Sequence, residues 1–148
     1  MKKSLLFACA VLSGLLAGSM INGFLVYLGP SLIPPPSDCD LTTLKGLRQA
    51  MPHMAPRHFI FPFLAHALGT FLGAAVSTLM VRGQSLWPAM IVGLLFLLGG
   101  IVNVVTLPAP AWFSAVDLLL AYIPPAFLAR WGVCRLAKKR APSAQVSS

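Results

Sequence analysis

The chain has 148 residues, of which 57% are hydrophobic and 9% charged, and its mean hydropathy is +0.83. A soluble fold with so little charge would be poorly solvated. Four apolar runs also take up more than half the length, so no soluble domain with its own core fits in the remainder. The net charge of +8 does not point to nucleic acid, because the basic cluster from Arg135 to Arg140 has no stacking aromatics interleaved with it.

In chain order, Met1-Lys2-Lys3 introduces an apolar run over residues 5–28. Ala17-Gly18-Ser19 resembles a signal-peptide cleavage site, but the run continues to Leu28, and that length favours an uncleaved span. Gly29-Pro30 closes the run, and Pro34-Pro35-Pro36 opens a long loop. Within it Leu41, Leu44, Leu47 and Met51 recur at helical spacing. With Asp40 as N-cap and Pro52 as stop, they predict a short amphipathic helix lying on the outer membrane surface. The second run covers 59–81. A tight turn, Arg82 to Leu86, leads into the third, 87–107, where Pro88 falls in the first turn and costs little. Pro108-Ala109-Pro110 separates it from the fourth run, 115–131, which Ser114 and Asp117 open as a capping box. Pro124-Pro125 lies inside this run and predicts a kink or break.

Each run approaches or exceeds the roughly 20 residues an α-helix needs to cross a hydrocarbon core about 30 Å thick. The expected fold is therefore all-α: a polytopic membrane protein with four transmembrane helices in an antiparallel bundle and a short surface helix in the first outer loop. Residues 1–140 form one membrane domain, and 141–148 form a disordered cytoplasmic tail. Threading the chain four times puts eight basic residues on one side and three (Lys45, Arg48 and Arg57) on the other. The positive-inside rule then makes both termini cytoplasmic. A bacterial inner membrane fits the economy of the chain. Tyr27, Trp87, Trp112 and Trp131 fall near span ends, as an interfacial aromatic belt requires. Cys9, Cys39 and Cys134 are scattered and imply no internal disulfide.

Small residues at four-residue intervals, Ala10, Gly14 and Gly18 in the first run and Gly69, Gly73 and Ser77 in the second, suit close helix packing within the monomer or against a second copy. Gly93 and Gly100 do the same in the third. Among them sit four polar residues: Asn22, His66, Asn103 and Asp117. By the expected threading each lies within roughly 5–11 Å of the outer boundary, at 1.5 Å per residue. Polar groups at such depth face a bundle interior or a cavity. One cluster is expected: His66 paired with Asp117, with Asn22 and Asn103 completing the hydrogen bonding, as a substrate- or proton-binding site open to the outside. The structural explanation for the same residues is helix capping, with Asp117 at the third position of its helix, and ordinary inter-helix hydrogen bonds.

The outer loop offers a second constellation, Met51, His53, Met54 and His58, soft sulfur beside imidazole of the kind that suits Cu(I). Catalytic motifs such as HExxH, GxSxG and the Walker loop are missing, and the chain has no Glu. The leading expectation is a non-enzymatic accessory or structural membrane subunit with no cofactor and no nucleic-acid partner. Its partners are the lipid bilayer and either further copies of itself or another membrane protein. The alternative is a small-solute or proton-coupled transporter built on the polar cluster, and the second alternative is copper handling by the outer loop.

Overall fold

The computed structural model describes residues 2–36 and 40–139. The described residues are mostly helical, without strands. Six α-helices follow in order: α1 (Lys2–Leu32), α2 (Leu44–Ala50), α3 (Ile60–Met80), α4 (Trp87–Thr106), α5 (Ala111–Leu120) and α6 (Ile123–Lys139). Four segments are long and apolar enough to cross a membrane: Lys3–Leu32, Pro56–Met80, Trp87–Thr106 and Ala111–Lys139. The last joins α5 to α6. In hydrocarbon the backbone must satisfy its own hydrogen bonds, so apolar runs of this length are held to helix.

Small residues position these helices. A Cβ added at Gly14 would come within 2.5 Å of the Gly73 carbonyl oxygen, and one at Gly18 within 2.6 Å of the Gly69 oxygen. The stripes of α1 and α3 therefore pack on each other within one chain, backbone against backbone. In α4, Gly93 receives Ala126 and Gly100 receives the Tyr122 ring. Ala74, Ala89, Ala126 and Ala129 form a fully buried cluster where α3, α4 and α6 meet. Glycine and alanine bring helix axes close, and dispersion between the close surfaces holds a bundle together where lipid removes the hydrophobic drive.

Two ends can be distinguished. At the turn end, residues 81–86 join α3 to α4; Arg82 and Gly83 both take positive φ (52° and 68°), and Cys134 Sγ lies 3.9 Å from the Gly83 oxygen. At the loop end, the segment after α1 folds back over the helices. Met51, Phe59 and Phe113 are buried together, with Leu47, Met54 and Leu107 packed around them. Arg48 Nε donates to the Thr106 carbonyl at the end of α4, at 2.6 Å.

Several elements differ from the sequence expectation. Helix α1 does not stop at Gly29-Pro30 but runs to Leu32 with Pro30 inside it. Proline removes only its own donor, and Ile33 N–H still closes onto Gly29 O at 2.8 Å. The N-cap of α2 is Thr43, whose side chain accepts from Gly46 N–H, rather than Asp40. Asp40 instead accepts from the Thr42 hydroxyl and N–H and the Thr43 hydroxyl, which hold its carboxyl below its ordinary pKa. Helix α2 and the turn after it bury Ala50 and Met51 against the loop end, so this segment caps the helices.

Helix α5 begins at Ala111, not after Ser114: Pro110 is its N-cap, with no side-chain cap, and Ser114 N–H bonds Pro110 O. The expected capping box does not form. The fixed φ of Pro110 (−57°) already presets the helix entry a turn earlier. The expected break is present: α5 ends at Leu120, and Pro124 and Pro125 occupy the first turn of α6, where missing N–H groups leave no hydrogen bond unmade. Cys39, Asp38 and the 141–148 tail lie outside the described residues.

Candidate functional site: a His–Asp–Tyr cluster beneath the loop end

His66 stands on α3, three residues before Gly69, one of the positions where α1 and α3 touch. Asp117 stands in the second turn of α5 and Tyr122 at the break before α6. The three side chains converge. His66 Nδ1 lies 2.9 Å from both carboxylate oxygens of Asp117. Tyr122 Oη donates to Asp117 Oδ2 at 2.8 Å and lies 2.9 Å from His66 Nδ1.

With Asp117 as the carboxylate, its oxygens only accept, so the matching His66 tautomer carries its proton on Nδ1. In the neutral ring the lone pair is then on Nε2. That atom has no hydrogen-bond partner among the described residues, and it is not sealed off by them. A carboxylate that holds Nδ1–H and leaves Nε2 free is the arrangement that orients an imidazole as an acceptor or base. Asp117 is 2% exposed. A carboxyl buried that far needs hydrogen-bond donors to offset its lost hydration, and His66 and Tyr122 supply them.

Asp117 is not at the third position of its helix, as the capping explanation required. It is the seventh residue of α5. The helix dipole acts mainly within the first turn, so side-chain partners hold this carboxyl.

Asn22 and Asn103 do not complete the network. Neither makes a side-chain hydrogen bond to it among the described residues. Tyr122 takes the place expected for them. On an ideal helix a residue five positions after Asp117 sits about 140° around the axis. The interruption at Ala121-Tyr122 re-aims the ring back toward α3, and Gly100 leaves room for it on α4. The signal available in the sequence was a hydroxyl-bearing aromatic two residues before a double proline.

Two cavities meet at this cluster. The larger, about 690 Å³, lies under the cap, walled mostly by apolar side chains such as Val26, Leu47, Met51, Phe59 and Phe113, with His66, Asn103 and Asp117 in its lining. The smaller, about 470 Å³, lies between α1 and α4 and is lined by Ser19, Asn22, Gly99, Asn103, His66 and Tyr122. His66 and Asn103 border both.

The loop constellation is arranged differently. Met51 is buried against Phe59 and Phe113, and Met54 packs beside it. His58 holds Nδ1 3.1 Å from the Ala55 oxygen and Nε2 3.0 Å from the Pro34 oxygen, tying the end of α1 to the start of α3. Both its nitrogens thus face backbone oxygens. His53 follows in the short turn Met51–His53. Among the described residues no group of three His, Cys, Asp or Glu side chains converges.

No family model, curated protein sequence or solved structure matches this chain.

Proposed function

We propose that this is an integral membrane protein that binds a small solute in the cavity beneath the loop end and couples that binding to a proton at His66, Asp117 and Tyr122. The observation that carries this reading is the oriented His66 imidazole, with Nδ1 on a buried carboxylate and Nε2 left free, in the wall of a cavity of about 690 Å³. Mostly apolar pockets of this size with a few convergent polar groups are the usual form of a small-molecule site. A structural subunit needs the pair only as a clasp and has no use for the space beside it. The reading is of binding and translocation without catalysis. Asp40 is engaged by Thr42 and Thr43, and among the described residues no second carboxylate bonds into the His66–Asp117–Tyr122 cluster.

The threading that goes with this reading is an antiparallel four-helix bundle with the loop end outward and both termini cytoplasmic, in a bacterial inner membrane. Opposed contact order supports the first part: rising numbers on α1 (Gly14, Gly18) meet falling numbers on α3 (Gly73, Gly69). The eight-to-three division of basic residues supports the second.

The test is ligand-dependent stability of the reconstituted protein across panels of alcohols, amines and carboxylic acids, with a pH dye recording protons. A site ligand at a hundred times its Kd stabilises by about 2.7 kcal/mol. One chemical class should stabilise wild type, exchange a proton on binding, and lose both effects in Asp117→Asn. If no class stabilises it, and the NMR titration of His66 ignores Asp117→Asn, the accessory-subunit reading replaces this one.

A further inference from the structure

The smaller cavity opens sideways. Near the turn end α1 and α4 are tight: a Cβ at Gly14 would lie 3.1 Å from Val92, and one at Gly18 2.8 Å from the Phe96 ring. Past Phe96 the helices part. A Cβ added at Gly23 or at Gly99 meets nothing within 4 Å, although both glycines belong to long helices and Gly99 and Gly23 line this cavity. Ser19, Gly23, Gly99 and Asn103 are exposed. Around them stand large apolar side chains turned outward: Met20, Phe24, Leu98 and Val102. The opening thus has an apolar rim and a polar interior, and its floor is His66 and Tyr122.

An opening of this kind at membrane depth faces lipid. Ser19, Asn22 and Asn103 would present side-chain hydrogen-bonding groups to hydrocarbon with no side-chain hydrogen bond made among the described residues, a costly arrangement unless something polar occupies the groove. The free Nε2 of neutral His66 is an acceptor, so the matching head group is a donor. The larger cavity, which shares Gly23, His66 and Asn103 with the groove, is walled mostly by apolar side chains and suits a hydrocarbon tail.

We propose that the groove between α1 and α4 is a lateral portal through which a membrane-dissolved amphiphile bearing an O–H donor reaches His66, its tail lodging beneath the cap. This rests on the reading of the loop-end cavity as a ligand site and adds the class of ligand and its route.

The experiment uses wild-type protein in phosphatidylcholine vesicles with a long-chain alcohol carrying a photoactivatable diazirine in its tail, and with its methyl ether. Sites of attachment are mapped by mass spectrometry. The alcohol should label residues lining the larger cavity, and the ether, which lacks the donor, about tenfold less, the value of one hydrogen bond. Gly99→Phe and Gly23→Phe place a ring in open space, so both should fold with unchanged thermal midpoints and reduce cavity labelling to background. Equal labelling by alcohol and ether overturns the proposed head group. Undiminished labelling in folded Gly99→Phe and Gly23→Phe overturns the portal and leaves the cavity reading standing, with entry from the capped end. Dimers cross-linked through Gly99→Cys would show that a second copy fills the groove and also overturn it. Absence of cavity labelling in wild type overturns the inference, while the stability and proton readouts for Asp117→Asn judge the cavity reading separately.

Discussion

Toward the turn end the long helices meet through glycines and alanines whose backbones nearly touch; toward the loop end α1 and α4 part, and two cavities open around a knot of polar side chains. At the turn end, specificity of packing comes from the absence of side chains. Gly14 and Gly73 fit because neither has a Cβ, and Ala74, Ala89, Ala126 and Ala129 fill what is left. At the loop end, contact is made by side chains that are large and aromatic, with Phe59 and Phe113 rings 4.8 Å apart, or polar and mutually satisfied. Glycine does both there: Gly29 and Gly100 sit hard against Phe61 and Tyr122, while Gly23 and Gly99 leave a space. The same residue type therefore has opposite meanings at different positions, and only the neighbouring helix decides which.

Substitution should separate the two ends. The largest effect is expected from Gly73→Leu: its Cβ would sit 2.6 Å from the Gly14 carbonyl oxygen. Backbone cannot yield as a flexible side chain can, so stability measured by reversible unfolding should fall by about 3 kcal/mol. Asp117→Ala comes next. It leaves the Tyr122 hydroxyl and the His66 ring without their shared acceptor, for about 2 kcal/mol in the same assay. Tyr122→Phe should cost about 1 kcal/mol. It should also shift the ring NMR signals of His66, which loses the hydroxyl 2.9 Å from its Nδ1.

Thr43→Ala tests the cap instead. Loss of the N-cap costs about 1 kcal/mol and should show as faster hydrogen exchange in residues 44–50, with the long helices unchanged. Acid should loosen the same segment. A carboxyl whose folded pKa is lowered stabilises at pH above its ordinary value of 3.8 and loses that contribution as pH falls through the folded value. The smallest effect is expected from Gly99→Leu, within about 0.5 kcal/mol of wild type. That same chemical change costs about 3 kcal/mol at Gly73 and almost nothing at Gly99. A penalty at Gly99 resembling that at Gly73 would erase the distinction between the two ends.

Much of this was legible in the residues. Four apolar lengths determine four membrane-length helices, because a backbone in hydrocarbon has no other way to satisfy its N–H and C=O groups. The Pro124-Pro125 pair determines that the fourth is broken, since proline cannot donate within a helix but is accommodated in its first turn. The meeting of His66 and Asp117 could be anticipated from their similar depth alone. Depth follows from counting residues along an axis. Orientation about the axis does not, and there the tertiary structure decided. Asn22 and Asn103 have the right depth but line the groove between α1 and α4 instead of joining the network. Tyr122 joins it because the break turns its ring back toward α3. Asp117 exchanged the expected helix cap for two side-chain donors because Pro110 starts α5 a turn early. Each difference arises where a proline resets the helix phase or where a glycine lets a neighbouring helix approach. Both effects depend on what lies across the interface, and a single strand of sequence does not contain it.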